Sequence, residues 1–326
     1  MTARIAGIGA CVPETIVTND DLAKIVETSD EWISSRTGIR ERRISMKEGT
    51  SDLAAEAARR ALEAAGVKSE ELDIIIMGTS SPDCNYPSGA CEVQAMIGAV
   101  NAVAFDVSAA CAGFIFAMNI VQGFFQAGIY KTALIIGAET LSKVTDWTDR
   151  STCVLFGDGA GAAVLKNDSV GVIDMLMGSD GTKGDALKCT SRTLGNFLTG
   201  EKPELGFMTM DGQEVFRFAV KRVPESIETL MKRNDVAKED IKYYVLHQAN
   251  ERIVEAVARR LKEPMEKFPM TIAKYGNTST ASIPLLLDDM LKQGMLEDGD
   301  KIIMSGFGAG MTWGAVLLEW KTGESV

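Results

Sequence analysis

Two apolar runs meet near residue 110. Ala102 to Val107 has the length and pattern of a buried strand, and Phe114 to Phe125 reads as a buried helix. Similar units recur along the chain. Residues 3–10 predict a strand, and Thr18-Asn19-Asp20-Asp21 predicts a cap before a short helix from Leu22 to Glu27. Ser51 to Ala65 carries an Ala-rich face and stops at Gly66, as an amphipathic helix does. Leu72 to Gly78 follows as a buried strand, Asn85 to Ser88 as a loop, Cys91 to Ile97 as a helix and Ala133 to Glu139 as another strand. Alternating strands and helices of these lengths predict layered α/β architecture.

The second half repeats the first. Gly66 to Gly78 aligns with Asp235 to His247 at an offset of 169, and Gln126-Ala127-Gly128 aligns with Lys292-Gln293-Gly294 at 166. Ile135-Ile136-Gly137 then matches Ile303-Met304-Ser305 or Met304-Ser305-Gly306, the latter restoring 169. The offset of 169 carries Gly78 onto His247, and that of 166 carries Cys111 onto Asn277. Two halves related by a pseudo-dyad would bring such strand ends to one central cleft.

Composition narrows the class. Of 326 residues, 46% are hydrophobic and 24% charged, the balance of a globular protein with a large core. No apolar run reaches the roughly 20 residues of a membrane-spanning helix, and the N-terminal segment lacks a signal-peptide pattern. The net charge of −11 argues against general nucleic-acid binding. Six cysteines without Cys-x-x-Cys spacing and a single histidine argue against a metal site and for a reducing, cytoplasmic compartment.

Against that background, a few residues stand out. Cys111 lies among small neighbours in Asp106-Val107-Ser108-Ala109-Ala110-Cys111-Ala112-Gly113-Phe114, at a strand-to-helix turn. A structural core cysteine is the simpler reading of the residue alone; a helix start, however, favours an anion and lowers a thiol pKa toward neutrality. His247 follows the strand Tyr243 to Leu246, and its side chain suits proton exchange near pH 7. Asn277 lies in a small polar turn before the apolar helix Ile283 to Met290, either as a cap or as a neutral hydrogen-bond donor. Ser305 to Gly314 is a Gly-rich turn whose N–H groups suit a ligand oxygen. Phe156 to Leu165 is also Gly-rich but lacks the Lys-Ser/Thr of a phosphate loop and precedes a strand, so it reads as close backbone packing. Thr28 to Arg43 is rich in arginine and carries Trp32, either a solvated helix end or a surface for phosphate and a base.

Ala110-Cys111-Ala112-Gly113-Phe114, His247-Gln248-Ala249-Asn250, Gly276-Asn277-Thr278-Ser279 and Phe307-Gly308-Ala309-Gly310 together resemble the β-ketoacyl-acyl carrier protein synthase III family, the initiating condensing enzymes of dissociated fatty acid synthesis. The resemblance runs from Gly7 to Trp320. It implies the thiolase fold, a five-layer α-β-α-β-α sandwich of two duplicated halves: 1–168 with the nucleophilic cysteine and 169–326 with the histidine and asparagine. It implies Cys111 as acyl acceptor, His247 and Asn277 as donors to the malonyl thioester oxygen, and an oxyanion hole from the N–H groups of Cys111 and the Gly308–Ala309 turn. Coenzyme A contacts are implied at Trp32, Arg36, Thr37, Arg150, Gly212 and Asn250. Carrier-protein docking is implied at Arg217, Gln248, Arg252, Arg259 and Arg260, and an acyl pocket at Tyr86, Pro87, Phe156, Met210 and Phe307. Tyr86 and Pro87 would belong to a loop crossing a homodimer interface. No cofactor is implied beyond the substrates acyl-CoA and malonyl-acyl carrier protein. One departure is Ala309, where the family often has glycine; its methyl needs a backbone conformation open to an L-residue.

Rival readings are a chalcone-synthase-like polyketide synthase with the same trio, a papain-like protease and a non-catalytic acyl-binding scaffold. The protease shares the Cys…His…Asn order but places its cysteine near the mature N-terminus.

Overall fold

In the computed structural model, which describes residues 1–321, the buried strands form two main sheets. The first contains β1 (Thr2–Cys11), β2 (Ile74–Gly78), β3 (Val103–Val107), β4 (Thr132–Glu139) and β5 (Gly159–Asp168), in the order β1-β5-β4-β2-β3. The second contains β6 (Val172–Ser179), β7 (Ile241–Leu246), β8 (Lys301–Gly308) and β9 (Thr312–Glu319), in the order β6-β9-β8-β7. The pairing senses also repeat. β2–β4 and β7–β8 are parallel, while β5 and β9 run antiparallel to both of their neighbours. Only β3 has no partner in the second sheet, because the segment at its offset folds as a helical turn, Ile272–Tyr275.

Seven helices matter for the site: α1 (Asp30–Thr37), α2 (Thr50–Ala65), α3 (Gly89–Ile97), α4 (Gly113–Gln126), α5 (Gly212–Arg233), α6 (Glu251–Leu261) and α7 (Ser282–Lys292). The small residues of α2 and the face of α3 pack outside the first sheet, and α5 and α6 pack outside the second. Between the sheets lie α4 and α7, whose Phe114, Met118, Val121, Ile283 and Leu287 are wholly buried. A helix covered on both sides must be apolar nearly all round, which is why Phe114 to Phe125 reads as one unbroken run. Each such large side chain contributes about 1.5–3 kcal/mol on burial. The result is the five-layer α-β-α-β-α sandwich.

The two halves meet through a reciprocal contact. Just before α4, residues Ala110–Ala112 make a 3₁₀ turn with Ala110 at φ 45°; just before α7, Ser279–Ala281 make the same turn with Ser279 at φ 48°. Each turn rests on a glycine of the other half's central strand. A Cβ on Gly137 would lie 2.3 Å from the Thr280 carbonyl oxygen, and one on Gly306 would lie 3.1 Å from the Cys111 oxygen. Gly137 and Gly306 are counterparts at 169, as are Cys111 and Thr280.

This corrects the expected equivalence of Cys111 and Asn277: the true counterpart of Cys111 is Thr280. The offset drops to 166 only farther on, because α7 has 11 residues where α4 has 14. A second correction concerns Leu22 to Glu27. The helix is a single turn, Asn19–Leu22, closed by a Thr18–Asp21 capping box, and Ile25 beyond it is 57% exposed with no core to pack against. The Gly-rich segment that runs into β5 is close packing, since a Cβ on Gly161 within the strand would lie 2.7 Å from Pro284. Among the described residues, no helix is long and apolar enough to cross a membrane.

Gly137→Ala should lower stability by about 1–3 kcal/mol in urea unfolding, since its methyl meets backbone rather than a flexible side chain. Gly123→Ala in α4, where a Cβ meets nothing within 4 Å, should instead raise stability by about 0.5–1 kcal/mol. Equal effects would contradict the reciprocal contact.

Candidate active site

Cys111, His247 and Asn277 line one cleft. Each arrives by a different route. Cys111 sits in the 3₁₀ turn between β3 and α4, His247 directly follows β7, and Asn277 precedes the turn before α7. All three are buried: 6%, 2% and 7% exposed.

The electrostatics differ from the sequence expectation for the thiol. Burial is the main cause that pushes the Cys111 thiol up to about 12, with nearby Glu139 acting in the same direction and hydrogen bonding from Ser279 and from its own N–H acting against it. The thiol lies one turn ahead of α4, whose N-cap is Ala112, and among the described residues no cation acts on it. Burial also pushes His247 down to about 3, so its imidazole is neutral. Thiol and imidazole therefore both rest uncharged.

Hydrogen bonds fix how the two polar partners face the cleft. Asn277 Oδ1 accepts the Ser279 N–H at 2.8 Å, which leaves its amide NH2 as the donor end. His247 Nδ1 lies 2.7 Å from Ser282 Oγ, which leaves Nε2 for the cleft, and Phe307 packs edge-on to the ring at 5.2 Å. Gly308 lets β8 approach the nucleophile, since a Cβ there would lie 2.6 Å from the Cys111 nitrogen. Ala309 adopts no left-handed φ; Gly310 beside it does, at 135°.

A second, mostly apolar cavity lies on the other side of Cys111, lined by Ser80, Leu141, Phe156, Leu187, Met208 and Ala309 among others. Phe156 borders both spaces, whereas Met210 and Phe307 border only the first. Tyr86 and Pro87 line neither, and Tyr86 is 86% exposed. Within one chain they are not pocket residues.

Gly212, Phe216 and Asn250 connect the cleft to an outer mouth bordered by Arg217 and Arg252. Trp32 lies in α1, with the guanidinium groups of Arg36 and Arg150 at 4.7 and 4.8 Å from its ring centre. Asn250 caps α6 and donates through Nδ2 to the Arg36 carbonyl at 3.0 Å, tying this aromatic platform to the loop after His247. Two expected contacts fail on geometry. Thr37 is buried, with its hydroxyl donating to the Ile33 carbonyl and accepting the Ile39 N–H, so it presents nothing to a ligand. Gln248 is 1% exposed, bonded to the Leu246 carbonyl and the Thr271 N–H, and is no docking residue. Arg259 and Arg260 lie at the far end of α6; Arg260 is already engaged with the Val220 carbonyl and Glu225. Residues missed from sequence are Ser279, Ser282 and Glu139, small or acidic groups whose positions only the halves' packing reveals.

Two family models match the chain: 3-oxoacyl-[acyl-carrier-protein] synthase III over residues 105–181, and the C-terminal region of the same family over 231–320. A protein named β-ketoacyl-[acyl-carrier-protein] synthase III from Clostridium acetobutylicum is 52% identical over 321 residues, 98% of this chain and 99% of its own. The chain belongs to the β-ketoacyl-acyl carrier protein synthase III family. The crystal structure of the 3-oxoacyl-[acyl-carrier-protein] synthase III of Aquifex aeolicus matches at TM-score 0.90 and 44% identity, covering 98% of this chain and 100% of that one. The priming β-ketosynthase of the R1128 polyketide pathway matches at TM-score 0.91 and 34% identity, covering 98% and 97%. Synthase III relatives thus span the whole described fold, which is the thiolase fold.

A buried neutral histidine has a pH signature. His247 takes up a proton near 6.5 when unfolded but only near 3 when folded, so the stability it contributes is full above about 6.5 and is lost as pH falls toward 3. His247→Gln should therefore lose less stability than the wild type between pH 7 and 4 in thermal unfolding. Parallel curves would contradict the burial.

Proposed function

We propose that this chain catalyses the decarboxylative condensation of a short acyl-CoA primer with malonyl-acyl carrier protein, giving the β-ketoacyl-carrier protein that initiates fatty acid synthesis. The observation that carries this reading is the position of Cys111 between two spaces. The cleft that holds His247 and Asn277 lies on one side and a more strongly apolar cavity on the other. A nucleophile so placed can hold an acyl chain in one space while the other receives the extender unit.

In the first half-reaction the Cys111 sulfur attacks the acyl-CoA carbonyl. An S–C bond forms, the bond to the CoA sulfur breaks, and the thiol proton leaves with CoA. A thiol is a good acyl acceptor even without a permanent thiolate, once its proton has a route away. The developing oxyanion would be held by the N–H of Cys111 and one from the Gly308–Ala309 segment. In the second half-reaction malonyl-carrier protein enters the emptied cleft. His247 and Asn277 donate to its thioester oxygen, CO2 leaves with the carbon–carbon bond broken, and the electron pair is held as an enolate. The enolate carbon attacks the acyl-cysteine, the bond to the Cys111 sulfur breaks, and the departing thiolate takes up a proton from solvent to restore the resting thiol. Two neutral donors suit this charge better than a carboxylate, which would repel it, and loss of CO2 removes the need for a strong base or a cofactor.

For binding, Trp32 with Arg36 and Arg150 is assigned to the adenine nucleotide end of CoA, and Gly212 and Asn250 to its pantetheine arm. Arg217 and Arg252 at the mouth are assigned to the acidic carrier protein, which a chain of net charge −11 would otherwise repel. Halves 1–168 and 169–326 serve as the cysteine and the histidine–asparagine units; residues 322–326 of the latter lie outside the described structure. A cytoplasmic homodimer is also proposed. The edge strand β3 is unpaired on one side, and Met96, Val100 and Val103 beside it are 43%, 76% and 49% exposed, a surface suited to a second copy that would bring Tyr86 and Pro87 to its neighbour's pocket.

His247→Ala should still form the acyl-cysteine but lower malonyl decarboxylation by about 100- to 1,000-fold, the range for losing one oxyanion donor. Intact decarboxylation would remove the assigned role. Arg252→Glu should raise KM for malonyl-carrier protein more than KM for acyl-CoA in steady-state assays; equal changes would refute docking at the mouth.

A further inference from the structure

His247 directly follows β7 and Ser282 opens α7. At the offset of 169 their counterparts in the first half are Gly78, which closes β2, and Gly113, which opens α4. There the two glycines touch backbone to backbone: a Cβ on Gly78 would lie 3.0 Å from the Gly113 carbonyl carbon, and one on Gly113 would lie 3.3 Å from the Gly78 Cα. The second half keeps this meeting of strand end and helix start but fills it with a histidine and a serine, their Nδ1 and Oγ 2.7 Å apart.

The direction of that hydrogen bond follows from its surroundings. Both residues are 2% exposed, so water does not complete the pairing. Ser282 Oγ accepts the Gln248 N–H at 3.4 Å. Gln248 is itself held at both ends of its side chain, by the Leu246 carbonyl at 2.8 Å and the Thr271 N–H at 3.0 Å. Among the described residues the Ser282 hydroxyl has no other acceptor than Nδ1. A proton on Nδ1 would leave the hydroxyl proton buried and unpaired, a costly arrangement. The hydroxyl therefore donates to Nδ1, and the single proton of the neutral ring sits on Nε2, the nitrogen left to the cleft.

We propose that Ser282 is a positioning residue for the condensation: it holds His247 as the Nε2–H tautomer, so that the ring donates to the malonyl thioester oxygen instead of turning a lone pair toward it. This rests on the donor role proposed for His247. The edge-on Phe307 ring limits rotation on the other side, so the serine sets the tautomer and the aromatic ring the plane.

His247 is the only histidine in the chain, which makes the test direct. In untagged protein labelled with 15N-histidine, one imidazole is observed. The wild type should show a protonated Nε2 and an unprotonated Nδ1. Ser282→Ala should show a mixture of tautomers, and Ser282→Thr, which keeps the hydroxyl, should restore the wild-type pattern. Ser282→Gly repeats the residue of the first half and serves if the alanine variant does not fold. In assays, Ser282→Ala should lower kcat for malonyl-carrier protein decarboxylation roughly 10- to 100-fold, less than losing an oxyanion donor outright. Its KM should be little changed, acylation of Cys111 should be unaffected, and threonine should rescue. A wild type protonated on Nδ1 would overturn the proposal, as would Ser282→Ala with wild-type tautomer and rate. Normal decarboxylation by His247→Ala would instead refute the donor role, a failure that the spectra distinguish from failure of the serine's effect on the ring.

Discussion

Everything at the site depends on two strand-to-helix turns packed against each other's halves at backbone distance. Gly137 leaves room for the turn containing Thr280, and Gly306 leaves room for the turn containing Cys111. A side chain at Gly137 would push the halves apart, and one at Gly306 would make the Cys111 turn give by a few tenths of an ångström, each moving the thiol relative to its polar neighbours. Because the two contacts are counterparts, one physical requirement placed twice builds the cleft. The apolar helices α4 and α7 then bury it between two sheets, which is why thiol, imidazole and carboxamide all lie nearly out of water.

That burial sets the chemistry. In a dry site a charged thiolate or imidazolium is expensive, and both groups are accordingly neutral at rest. In the proposed reaction negative charge would arise only transiently, on the acyl oxyanion and on the enolate, where fixed neutral donors can meet it without reorganisation. Glu139 is held behind Cys111 by Ser80, Ser81 and Thr280, and burial keeps its carboxyl above the ordinary range. It belongs to the scaffold that joins the turns.

Much of this was legible in the chain itself. Long periodic segments declared the layers, the duplication declared two halves, and four short motifs in order declared the family. What escaped had physical reasons. Cys111 and Asn277 looked equivalent because a three-residue difference between α4 and α7 was placed before the turn when it lies within the helix. Gln248 and Thr37 looked like surface contacts because polar side chains give no sign in sequence that their hydrogen bonds are satisfied inside. The thiol was expected to be acidic from its place near a helix start, yet desolvation outweighs that effect. Ser282 carried a usable signal, since its counterpart is a glycine in contact with the counterpart of His247.

The central claim is that acyl transfer occurs at Cys111 and at no other thiol. Brief incubation with acetyl-CoA, followed by mass spectrometry of the intact protein and its peptides, tests this directly, because all six cysteines are free and two of them, Cys84 and Cys189, are exposed. The account predicts one acetyl group, carried on the Cys111 peptide and absent from Cys111→Ala. An adduct on another cysteine, or one that survives in Cys111→Ala, would contradict it.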